Sequence, residues 1–182
     1  MNEQPNPWTT KSSEEKYDNP WLRITEHQVV NPNGGDGIYG VVHFKNIATG
    51  VVVIDEEGFT YLVGQYRYPL NQYSWEIPEG GGQLDVDPLL SIQRELKEET
   101  GLLANDWTHL QTIHLSNSVS DEIGYLYLAK GLTMGEASPE EDEQLTVKKL
   151  PFTEAVAMVQ RGEITDGMSV VGILRAKEVL GP

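Results

Sequence analysis

The sequence predicts an α+β fold in which helices flank a mixed sheet and a small antiparallel β extension precedes it. Three observations lead there. Short runs with strand-like apolar alternation, separated by turn residues, fill most of the N-terminal half. A strongly periodic helical segment interrupts them at residues 88–100, and two more helical segments close the chain. Strands and helices follow one another irregularly, without the steady β-α alternation of a doubly wound sheet.

Taken in order, residues 1–20 are polar and are expected to be loosely ordered or laid against a partner. Over residues 21–44 the apolar positions Leu22, Ile24, Val29, Val30, Ile38, Val41 and Val42 alternate imperfectly around a turn-rich NPNGGDG segment at 31–37, which reads as a small antiparallel unit. The run GVVVID at 50–55, a turn at 56–58 and TYLVGQY at 60–66 predict a hairpin. A short strand at 74–78 ends in the cluster Gly80, Gly81 and Gly82. Asp87 suits the cap of the 88–100 helix, Pro88 its first position and Gly101 its exit. Strands are expected at 107–114 and 124–129, an acid-rich loop at 131–143, a strand near 145–150, and helices at about 153–161 and 168–179.

A chain of 182 residues suits one well-buried core with an extension, divided here as 1–47 and 48–182. Its 38% hydrophobic and 23% charged residues fit a soluble globular protein, and no run approaches the roughly 18 apolar residues of a membrane span. The polar N-terminus lacks the apolar stretch of a secretory signal, and the absence of cysteine excludes disulfides and thiolate metal sites, so cytoplasmic residence is expected. A net charge of −15 repels nucleic acid and anionic membranes, and neither is an expected partner. A phosphorylated ligand would need a divalent cation or a local arginine to offset that field.

The chemistry concentrates in GGGQLDVDPLLSIQRELKEETGL at 80–102. On a helix Glu95, Glu98 and Glu99 stand at i, i+3 and i+4 and share one face, while Leu89, Ile92 and Leu96 form a second stripe able to bury against a sheet. Three like charges side by side oppose helix stability by a few tenths of a kcal/mol per pair. Hard oxygen ligands grouped in this way suit Mg²⁺. The bland alternative is a Glu-rich helix face in solvent.

The segment Arg94–Leu102, RELKEETGL, matches the REUxEExGU core of the Nudix box at every specified position, and Gly80 falls at its leading glycine. The isolated glutamate between them is replaced by Val86, flanked by Asp85 and Asp87. The chain therefore resembles the Nudix hydrolases. Residues 65–69 (QYRYP) and 75–80 (WEIPEG) look like the QYR and E(I/L)PAG segments of ADP-ribose pyrophosphatases and related nucleoside diphosphate sugar hydrolases, and MVQRGEITDGMSVVGILRA is similar to that group's closing helices.

The resemblance implies a Nudix-type α/β/α sandwich with a mixed sheet. It also implies Mg²⁺-dependent hydrolysis of the diphosphate bond of ADP-ribose, GDP-mannose or similar compounds, with Mn²⁺ a substitute ion. Glu95, Glu98 and Glu99 would hold the metal, joined by the backbone carbonyl of Glu79 or Gly80 and by Glu143; Glu98 and Glu99 would also serve catalysis directly. The general base would come from the acidic loop, Glu141 being the best match among Glu140, Glu141 and Glu143. Arg67 would clamp phosphate, and Glu76 would accept from a ribose hydroxyl or simply be solvated at a strand edge. Arg94 would pair with a neighbouring glutamate and fix the helix to the loop. Trp8, Trp21, Tyr39, Tyr68 and Tyr73 are candidates for stacking on the base. The extension would swap between subunits of a homodimer that binds the base at its interface. Two other readings remain open: a nucleotide-sugar sensor without catalysis, for which Val86 speaks, and a hydrolase of nucleoside triphosphates or dinucleotide polyphosphates.

Overall fold

The computed structural model describes residues 4–135 and 144–181. By its contacts the chain divides into two compact units, Met1–Asn46 with His114–Glu122, and Ile47–Ile113 with Ile123–Pro182.

The first unit is a three-stranded antiparallel sheet of β1 (Thr9–Asp18), β2 (Leu22–Val30) and β3 (Asp36–Phe44), in that order. The β2–β3 hairpin turns as the sequence predicts, with the Asn31 side chain accepting from the N–H groups of Asn33 and Gly35 and Gly34 in the left-handed region. Strand β1 corrects the expectation of a loose N-terminus. All ten of its residues are exposed, so no buried face imposes an apolar alternation, and the signal that normally reveals a strand is missing. Backbone pairing to β2 and the ion pairs Lys11–Asp36 and Lys16–Glu26 tie it to the sheet. The 114–122 segment joins this unit through Tyr39 Oη donating to the Ser118 carbonyl and through a 2.6 Å contact between His43 Nδ1 and Asp121.

In the second unit β4 (Asn46–Val53) runs parallel to β9 (Ile123–Met134), inside a four-stranded sheet ordered β7-β4-β9-β8, with β7 at Glu79–Gln83 and β8 at Leu102–His114. A second sheet pairs β5 (Phe59–Arg67) antiparallel with β6 (Gln72–Glu76) and β10 (Thr146–Pro151). The predicted β4–β5 hairpin is therefore not formed. The turn is real, with Asp55 accepting from Glu57 and Phe59 N–H, but the strands leave it into different sheets. Val51, Val52 and Val53 are wholly buried, as in a central strand covered on both faces, and such a run carries no register information for a hairpin.

Helix α1 (Pro88–Thr100) has the predicted ends: Asp87 accepts from Leu89 N–H at 2.9 Å, and Gly101, at φ 73°, returns its N–H to the Lys97 carbonyl. Ile92 and Leu96 are fully buried against Val51, Val53, Leu102, Tyr127 and Ala129. Helices α2 (Phe152–Gln160) and α3 (Gly167–Leu180) follow β10. Successive β4 side chains point to opposite faces. Val51 and Val53 pack in the cluster with α1, whereas a Cβ on Gly50 would touch Met168 of α3 and Gly172 of α3 lies against Val52. The sheet is thus sandwiched between α1 and α3.

Candidate active site

The site grows from the meeting of α1 with β7. The glycine cluster at 80–82, read from the sequence as the end of a strand at 74–78, lies in a strand of its own, β7, and its composition follows from what lies above it. A Cβ on Gly80 would fall inside the Glu95 carboxylate, and one on Gly82 would overlap Ser91 of α1. At Gly82, where the overlap includes Ser91 Cβ, glycine lets helix and strand approach this closely, and at Gly80 it leaves room for the Glu95 carboxylate. At the end of the helix Glu79 N–H donates to Glu99 Oε2 at 3.1 Å. Glu99 is 4% exposed and continues the buried stripe of Ile92 and Leu96, so it belongs as much to the helix's inner face as to the acidic one.

Arg94 pins the other acids. Its Nη1 donates to Glu98 Oε2 at 2.5 Å, and its Nη2 donates to Glu95 Oε1 at 2.6 Å and to the Gly81 carbonyl at 3.0 Å. The guanidinium offsets the like-charge repulsion between Glu95 and Glu98 and staples helix to strand. The Gly80 carbonyl, in β7 beside β4, accepts from Thr49 Oγ1 at 3.1 Å. Hard carboxylate oxygens beside a backbone carbonyl, with Glu95 in the space a Cβ would fill, are a donor set suited to a divalent ion.

A second group of acids lies beside the first, and sequence reading missed its shape. Arg67, at the end of β5, donates from Nε to both oxygens of Glu76 (2.9 and 3.1 Å) and from Nη2 to Glu76 (2.5 Å) and Glu79 (3.0 Å). Glu76 is 2% exposed, so it is the buried counter-ion of Arg67 and not a solvated strand-edge acid. Burial by itself would lower the pKa of Arg67, but the hydrogen-bonded Glu76 and the charges of Glu79 and Asp166 outweigh it and hold the guanidinium cationic. Carboxylate oxygens of Glu76, Glu79 and Asp166 all lie within 4.8 Å of one another. Burial, then the Asp166 and Glu76 charges, push the Glu79 carboxyl well above the usual range. Among the described residues this is the trio close enough to share one ion; Glu95, Glu98 and Glu99 are not drawn together in that way. Asp166, which the sequence reading did not single out, caps α3, accepting from Ser169 N–H at 2.7 Å.

Glu140, Glu141 and Glu143 lie outside the described residues. Trp8 and Tyr39 stack edge-to-face within the first unit, 5.2 Å between ring centres, and Trp21, Tyr68 and Tyr73 are exposed.

A NUDIX domain model matches residues 44–168. The chain belongs to the Nudix family. A model described as the nucleoside diphosphate sugar hydrolase N-terminal domain matches residues 8–42 of this Nudix chain. It is 35% identical to an ADP-ribose pyrophosphatase of Mycobacterium tuberculosis (strain ATCC 25618 / H37Rv), over 93% of this chain and 83% of that one. It is 32% identical to a GDP-mannose pyrophosphatase of Yersinia enterocolitica serotype O:8, over 83% and 85%. A crystal structure titled as an ADP compounds hydrolase superposes with a TM-score of 0.83 at 18% identity, covering 98% of this chain and 97% of the other, and so shares the Nudix fold.

The raised Glu79 pKa has a signed consequence. Unfolded chain releases the Glu79 proton at lower pH than folded chain does, so folded protein binds more protons between the two values and loses stability as pH rises through them. In metal-free protein Glu79→Gln is therefore expected to raise the Tm near neutral pH, with the gap closing below the ordinary carboxylate range. Thermal melts of both proteins across pH check this, and a gap independent of pH would contradict it.

Proposed function

We propose that this chain hydrolyses the diphosphate bond of nucleoside diphosphate sugars, ADP-ribose, GDP-mannose or close analogues, giving a nucleoside monophosphate and a sugar phosphate. The observation that carries the reading is the closure of Glu95 and Glu99 onto the Glu79–Gly80 backbone, in a chain whose N-terminal segment matches the sugar-hydrolase model. The names borne by its relatives, ADP-ribose and GDP-mannose pyrophosphatases, support the same substrate class.

In this reading Glu95, Glu98 and Glu99, with the Glu79 or Gly80 carbonyl and Glu143, hold Mg²⁺, or Mn²⁺ in its place. A bound divalent ion would neutralise the diphosphate and acidify the attacking water. The protein's part is positioning. Arg67, 37% exposed and held by Nε and Nη2, turns its Nη1 edge to a phosphate oxygen. Glu76 acts through Arg67, since both its oxygens are already committed. Glu141 takes the proton of the attacking water as general base.

Residues 1–47 serve as the dimerisation extension and 48–182 as the hydrolase domain of a cytoplasmic homodimer. A ten-residue strand exposed along its whole length, Tyr17 included, with Trp8, Trp21 and Ile38 also exposed, supports a partner surface there. Among the described residues no helix is long and apolar enough to cross a membrane.

Three outcomes are expected. With Mg²⁺ and a panel of nucleotide sugars and triphosphates, followed by phosphatase, phosphate appears from the nucleotide sugars. Release from triphosphates alone would overturn the substrate class, and none at all would favour a sensor. Glu141→Gln lowers kcat by about a hundredfold or more with KM little changed; a defect confined to KM would place the base elsewhere. Light scattering gives the mass of two chains, and a mass of one chain would contradict the dimer.

A further inference from the structure

The two-residue link between β6 and β7, Ile77 and Pro78, carries the Glu79–Gly80 backbone to α1, and two of its backbone groups are anchored inside the fold. Ile77 N–H donates to Ser169 Oγ at 3.0 Å, and the Pro78 carbonyl accepts from Val51 N–H at 2.9 Å. Ser169, in the first turn of α3, is fully buried, and its own N–H is fixed by the Asp166 cap at 2.7 Å. The Ile77 side chain, 1% exposed, sits in a slot between two glycines: a Cβ on Gly50 would lie 3.0 Å from Ile77 Cδ1 and one on Gly172 of α3 would lie 3.1 Å from it. Helix α3 thus grips the link through a hydrogen bond to its backbone and through close packing on its side chain.

We infer that Ser169 is a positioning residue for the proposed metal site, setting the height of the Glu79–Gly80 backbone against the α1 glutamates. This rests on the metal-site reading above. Glu79 N–H reaches Glu99 Oε2 at 3.1 Å, and Gly80 lies under Glu95 with no room for a Cβ, so a small shift of the link moves the carbonyls and the glutamates out of register together. Removing the hydroxyl leaves Ile77 N–H buried without its acceptor, and the link is driven to move until that group finds another. Outer partners that orient ligands commonly govern metal affinity by about ten- to a hundredfold.

The test uses the full-length metal-free protein, Mn²⁺ as probe, and two readouts: the Mn²⁺ Kd by electron paramagnetic resonance titration and the Tm. Ser169→Ala is expected to raise the Mn²⁺ Kd about tenfold. Ile173→Val, a core change one turn along α3 at a residue 1% exposed, is expected to lower the Tm and leave the Kd alone. Gly172→Ala reaches the same link by crowding Ile77 and is expected to weaken Mn²⁺ binding as well, so the inference stays testable if Ser169→Ala does not fold. Wild-type Mn²⁺ affinity in Ser169→Ala with a lowered Tm, or in Gly172→Ala, would overturn the positioning role. Failure of the wild-type protein to bind Mn²⁺ would overturn the metal site itself.

Discussion

The chemistry of this molecule depends on how closely one helix approaches one strand. Helix α1 lies on β7 where glycine at 82 leaves room for Ser91 and glycine at 80 leaves room for the Glu95 carboxylate, and there Glu95 covers Gly80 while Glu99 receives the N–H of Glu79. The apolar half of the helix supplies the force, because Ile92 and Leu96 are fully buried against the sheet. The acidic half supplies the cost, three carboxylates on adjacent turns. Arg94 reconciles the two by bridging Glu95, Glu98 and the Gly81 carbonyl. Packing and ligand geometry are therefore one constraint here.

Helix α1 was legible to the residue, since its cap, its proline, its terminal glycine and its buried stripe are all local signals. The strands were legible as elements but not always as partners. The β4 run is uniformly buried, and nothing within it told β5 from β9 as a neighbour. Strand β1 left no trace because every side chain in it is exposed. Gly80–Gly82 read only as a cluster ending the strand at 74–78, because glycine marks both turns and places of close approach; the difference lies in Glu95 and Ser91 overhead, which only the fold brings there.

The same limit applies to the site. The box glutamates follow from their spacing, and Arg67 from its motif. The grouping of Arg67 with Glu76, Glu79 and Asp166 unites segments far apart in the chain, and nothing local to Asp166, which also caps α3, pointed to it. Glu79 stands where the E(I/L)PAG pattern has alanine, which places an extra buried carboxyl beside the guanidinium. Burial, then the Asp166 and Glu76 charges, raise its pKa, the direction expected where three acids gather around one cation. A strongly acidic chain thus presents Arg67 as a cation beside Glu76, Glu79 and Asp166.

Two acidic groups lie near one another, and we assign the divalent ion to the one on α1. Crystals soaked in Mn²⁺ and measured for anomalous scattering decide between them. Peaks bonded to Glu95, Glu98 and Glu99 beside the Glu79–Gly80 backbone are expected. A peak among Glu76, Glu79 and Asp166 with none at the α1 glutamates would contradict the assignment.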